Sequence, residues 1–172
     1  MGTRHFIGVK QNGVFKVAQY GQWDGCPKKQ GAKVLKFLQN VDLKQFAEKV
    51  SKCVFIDSEN IRQKWIAVGR NPEDKSPFVS IELGNKFDAA YPQLSRDTGA
   101  GILTMVMESE GGLELCDSSD FLKDGLFCEY AYIIDLDTNK LLCYSGGQSC
   151  KWGEYSLDAL PELEQLKRDA NR

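Results

Sequence analysis

TRHFIGVKQNGVFKVAQYGQWDGCPKKQG, residues 3–31, decides how the rest of the chain is read. Asn12-Gly13 is a strong hairpin signal, because a two-residue type I′ turn needs positive φ at both centre positions. With those two residues at the tip, Gln11 faces Val14, Val9 faces Lys16, Ile7 faces Ala18, His5 faces Tyr20 and Thr3 faces Gln22. Side chains alternate with period two, so Thr3, His5, Tyr20 and Gln22 are expected on one face at the open end. Phe6, Val17 and Trp23 fall on the other. A hydroxyl, an imidazole, a phenol and an amide then converge beside Asp24. A one-residue bulge would move this set to the opposite face.

The 172 residues suit a single globular domain spanning 1–172, with 42% apolar and 27% charged residues. A net charge of -2 gives no general attraction for a nucleic acid polymer or an anionic membrane. No apolar run approaches the roughly 20 residues of a membrane helix. The chain reads as soluble and cytoplasmic. None of the six cysteines forms a CxxC pair and His5 is the only histidine, so no zinc site and no cofactor is expected. Cys53, Cys128 and Cys143 read as buried thiols.

After Gly31, Val34, Leu35 and Leu38 form the apolar stripe of one helix. Asp42 caps a second, whose inner face is Leu43, Phe46, Ala47 and Val50. A short helix follows from Ser58, with Ile61 and Trp65 inward, and residues 70–79 read as a surface loop. Phe78 to Leu83 fits a strand or a helix start. Asp97 or Thr98 caps a helix with Ile102, Leu103, Val106 and Met107 inward, stopped by Gly111-Gly112. Strands are expected at 112–116 and 127–136, the second pairing back through 141–144, before a polar helix near 160–168. Two strands, then helices, then strands give an α+β class, an antiparallel sheet or stacked sheets with flanking helices.

Chemistry concentrates in four places. His5 is a candidate general base, with Thr3 or an activated water as nucleophile, because an imidazole titrates near neutrality. In Gln19 to Gly25 the flanking glycines would let the backbone approach a ligand, and Tyr20, Gln22, Trp23 and Asp24 suit a base, an amide or a sugar. Arg96 and Thr98 stand at a predicted helix start, where unpaired N–H groups and the dipole favour an anion. Glu129 shares a face of the late strand with Asp135 and could also face a site.

TRHFIGVKQNGVFKVAQYGQWDG, LSRDTGA and EYAYIIDLDTN resemble a family of small proteins of phages, bacteria and fungi, across most of the chain. Cys26 stands where that resemblance implies a tyrosine. No activity comes with it. At the level of fold, the opening strand, its NG turn, the polar end of the return strand and the hairpin from Tyr130 to Tyr144 resemble N-terminal-nucleophile hydrolases. That likeness implies Thr3 as nucleophile, yet removing Met1 would expose Gly2.

The leading expectation is a protein that binds a small polar, nucleotide-like ligand, with Arg96 and the start near Thr98 on its anionic group. In a phage setting such a protein would sequester a host signalling molecule. A hydrolase of amides or phosphoesters and a protein–protein interaction module are the alternatives. Composition says nothing of oligomeric state.

Overall fold

The computed structural model describes residues 2–172; Met1, and with it any processing at that bond, lies outside them. The opening hairpin is β1 (His5–Gln11) and β2 (Val14–Gly21). Its tip has the expected geometry, with φ of 56° at Asn12 and 77° at Gly13. Both tip N–H groups donate to the Asp137 carboxylate at 2.8 Å, which holds that carboxyl below the usual carboxylate range.

The register differs from the regular count. Lys10 faces Phe15 but Val9 faces Val17, so Lys16 is a bulge residue and every later partner moves by one. His5 therefore opposes Gly21, and Tyr20 opposes Phe6. His5 and Tyr20 lie on opposite faces of the sheet.

A single sheet in the order β2-β1-β5-β6-β7 carries the fold, with β5 at Tyr130–Asp135, β6 at Lys140–Ser145 and β7 at Cys150–Ser156. Within this sheet β1 and β5 are the parallel pair, His5 beside Tyr130, and its other neighbours are antiparallel. A parallel neighbour requires a long crossover, and residues 22–129 supply it. The expected second stacked sheet is replaced by a short parallel pair, β3 (Val54–Phe55) with β4 (Glu114–Leu115). The late strand begins at Tyr130 rather than 127, and β7 has no counterpart in the sequence reading. The class is α+β.

Among the described residues there are six α-helices: α1 (Ala32–Asn40), α2 (Leu43–Ser51), α3 (Ser58–Ala67), α4 (Ile81–Ala90), α5 (Gly101–Glu108) and α6 (Leu163–Asp169). A π-type turn over Pro27–Gly31 leads into α1. Asp42 caps α2 as expected, accepting from the Gln45 N–H at 3.0 Å. Phe46 and Val50 of α2, with Ile102, Leu103 and Val106 of α5, pack against Ile7, Val9 and Val17 in the larger core. Phe6, Ala18, Ala131 and Ile133 face the other way, under Leu122 and Cys128. β1 is thus buried on both faces.

The crossover is less firmly packed in its middle. α3 buries no side chain fully and α4 buries only Phe87. Phe87 stacks on Trp65 with ring centroids 3.8 Å apart, and Lys64 pairs with Glu114 of β4 at 2.7 Å. These two helices form a lobe beside the sheet-based body.

Tyr132 ties the sheet to the π-type turn. It is fully buried, its ring lies against Gly31, and its hydroxyl donates to the Gly25 carbonyl at 2.9 Å. Tyr132→Phe leaves that carbonyl without its partner and should cost about 1–2 kcal/mol in urea unfolding, with the m-value unchanged. Unaltered stability would show that the bond contributes nothing.

Candidate functional site

Residues 19–30 and 95–100 meet, and hydrogen bonds hold them together. Gln19, buried, donates from Nε2 to the Ser95 carbonyl at 2.9 Å. The Gln22 N–H donates to the Arg96 carbonyl at 3.0 Å. Trp23 Nε1 donates to Asp97 Oδ1 at 2.9 Å, and Gln30 Oε1 accepts from the Ala100 N–H at 2.9 Å. The polar stretch that read as ligand-facing uses much of its hydrogen-bonding capacity to grip a second segment of the chain.

That grip changes the start of α5. Neither Asp97 nor Thr98 caps it; the helix begins at Gly101, after Gly99 with a φ of +52°. Its first amides are all taken. Ala100 N–H goes to Gln30, while those of Gly101, Ile102 and Leu103 go to the carbonyls of Thr98, Gly99 and Ala100. Thr98 Oγ1 donates to the Pro92 carbonyl. The helix start therefore offers an anion no unused N–H among these four, and the Arg96 guanidinium is the cationic group at this place.

Arg96 is exposed and makes no salt bridge among the described residues. It lines a groove of about 530 Å³ between the α3–α4 lobe and residues 94–97, together with Trp65, Phe78, Phe87, Asp88 and Asp97. Phe78 and Ile81 stand 81% and 85% exposed at its edge. Side chains of that size are seldom left so open, and grouped apolar exposure marks a surface that something covers.

The remaining predicted residues occupy other surroundings. Tyr20 packs edge-on against Phe121 at 4.8 Å and its hydroxyl pairs with Gln22 Oε1. Trp23 is 48% exposed, its indole N–H held by Asp97. Asp24 is exposed at a φ of 60°, its carbonyl accepting the Gln30 N–H. Glu129 accepts the Arg4 N–H at 3.1 Å, and Arg4 lies over Phe127. Tyr20, His5 and Glu129 thus line no common wall with Arg96 in the groove. Trp65 was expected only as an inward residue of its helix, and Phe87 and Gln30 gave no sign in the sequence. Their roles depend on partners far away along the chain.

His5 is 1% exposed, and neither ring nitrogen has a hydrogen-bond partner among the described residues. A Cβ at Gly21 would sit 2.1 Å from its Cε1, and one at Gly25 2.7 Å from its Cβ. The two glycines admit this imidazole rather than a ligand. His5 lines none of the four cavities described for this fold. Burial lowers its pKa from the ordinary 6.5 to about 4; the Thr3 backbone and Asp24 oppose the shift, and Lys33 adds to it. The ring is neutral at pH 7. Thr3 is half-buried, its carbonyl accepting the Gly25 N–H at 2.9 Å.

Comparisons with protein-family models, curated proteins and solved structures find no match to this chain. Among the described residues no three His, Cys, Asp or Glu side chains group as metal ligands.

Because His5 takes a proton in the unfolded chain near pH 6.5 but in the folded one only near 4, stability falls as the pH drops through that window. The loss should reach about 3 kcal/mol by pH 4. Urea unfolding of the wild type and His5→Gln from pH 7 to 4 isolates it, since other groups cancel in the difference. A difference that stays flat with pH would show that His5 is not held neutral. Gly21→Ala should be more severe, costing over 3 kcal/mol through overlap with the ring.

Proposed function

We propose that the protein binds a small polar, nucleotide-like ligand in the groove between the α3–α4 lobe and residues 94–97, holding it without changing it. The observation that carries this reading is an unpaired Arg96 at the edge of a partly aromatic groove. An exposed guanidinium that makes no salt bridge among the described residues suits a phosphate or carboxylate delivered from solution. Trp65, Phe78 and Phe87 supply an apolar lining for a flat ring system, and the Asp88 and Asp97 carboxylates can accept from exocyclic amino groups. About 530 Å³ falls within the usual range for a small-molecule site. A protein that holds such a molecule unchanged acts by withholding it, which is how sequestration of a signalling nucleotide would work.

No observation favours the hydrolase reading. It asks an enclosed, neutral imidazole to reach a substrate, and the space beside that ring is filled by Gly21 and Gly25.

Arg96→Ala removes a side chain whose loss costs the fold little, since the bond that anchors this position is its backbone carbonyl. Isothermal titration against a panel of mono-, di- and cyclic nucleotides should find binding that Arg96→Ala weakens about 10- to 100-fold. Mass spectrometry of denatured, freshly purified protein should release the same unmodified class of molecule. Binding that ignores Arg96, or a panel with no binder, would overturn the proposal.

A further inference from the structure

A second cavity, of about 730 Å³, lies between α1, α2 and α5. It exists because α5 turns small or short side chains outward at the point where its inner face is filled by Ile102, Leu103 and Val106. Ala100, Gly101 and Thr104 line the space. Gly101 is not forced by sterics: a Cβ there would meet nothing closer than Thr98 Cγ2, at 3.7 Å. The walls are apolar, formed by Phe37, Val41 and Met107, each half-buried.

The cavity is electrically polar along its length. The Gln30–Ala100 bond brings the starts of α1 and α5 together, and Lys33 and, one turn on, Lys36 line the space with Gly101 and Thr104. Val41, Asp42, Met107 and Glu108 close the other end, where both helices finish. Neither lysine makes a salt bridge among the described residues. Asp42 is already committed to the Gln45 N–H.

We infer that this cavity is a second binding site, for an amphipathic anion: a carboxylate or phosphate head between Lys33 and Lys36, and an aliphatic or aromatic body laid along Phe37, Thr104 and Met107. The volume suits a body the size of a ten-carbon chain or a fused aromatic pair. Lysine stems would cover the first carbons while the ammonium groups meet the head. The site uses none of the residues of the Arg96 groove, so either can fail without the other.

Anilinonaphthalene sulfonate, an anion with an aromatic body, serves as the probe, followed by its fluorescence. The wild type should bind it, and decanoate or decyl phosphate should displace it while decylamine does not. The relative strength of decanoate and decyl phosphate distinguishes the two kinds of head. Lys33→Met/Lys36→Met removes the charge but keeps the stems, and Thr104→Trp fills the space from an exposed position. Each should weaken the decanoate-displaceable binding about tenfold or more with melting curves that still show a cooperative fold. The inference is overturned if the wild type does not bind the probe, if both cavity variants bind it as the wild type does, or if decylamine competes equally.

Discussion

The hydrogen bonds between residues 19–30 and 95–100 are the constraint on which the rest of the molecule depends. Gln19, Gln30 and Ser95 are each only 5% exposed, and a buried amide without a partner costs more than a made bond returns. Those amides therefore specify where the distant segment must dock. Once it docks, three consequences follow together. The α5 start is closed by Gln30, the Arg96 carbonyl is held by the Gln22 N–H, and Trp23 fixes Asp97. One face of the docked segment becomes a wall of the Arg96 groove, and the helix that follows it forms the floor of the lysine-lined cavity.

The same packing explains His5. The exit from β2 folds back so closely that Gly21 and Gly25 are pressed on the imidazole, and the Tyr132 hydroxyl fastens Gly25 from the next strand. A polar ring enclosed without partners is expensive, and its protonated form more so, which is why it is neutral across the physiological range. The chemistry suggested by an isolated histidine near a threonine gives way to a structural role in which the protonation state matters for stability.

Much of the fold was legible in the chain. Asn12-Gly13 forms the predicted tip, Asp42 caps α2, the apolar stripes of α2 and α5 face the core, and Cys53, Cys128 and Cys143 are buried. The register of the hairpin was not. Alternation specifies register only where one face is wet, and β1 is buried on both, so the bulge at Lys16 leaves no pattern to read. β7 escaped because CKWGEYS is a polar edge strand whose salt bridges, not its apolar residues, hold its outer side. For the candidate site, sequence singled out Arg96 and Trp23 but did not reveal that the amides of Gln19 and Gln30 dock one segment on the other. Their partners lie 70 and 76 residues away for Gln30 and Gln19, beyond the reach of any local pattern.

Amide hydrogen exchange by NMR on Gln30→Ala tests this dependence most directly. Only the Ala100 N–H loses its acceptor in that variant. If the two segments dock as one unit, the Gln22 N–H, bonded to the Arg96 carbonyl, should lose protection together with Ala100, while the amides of β5 and β6 keep theirs. Faster exchange at Ala100 with Gln22 still protected would contradict the account, because it would mean that each bond stands alone.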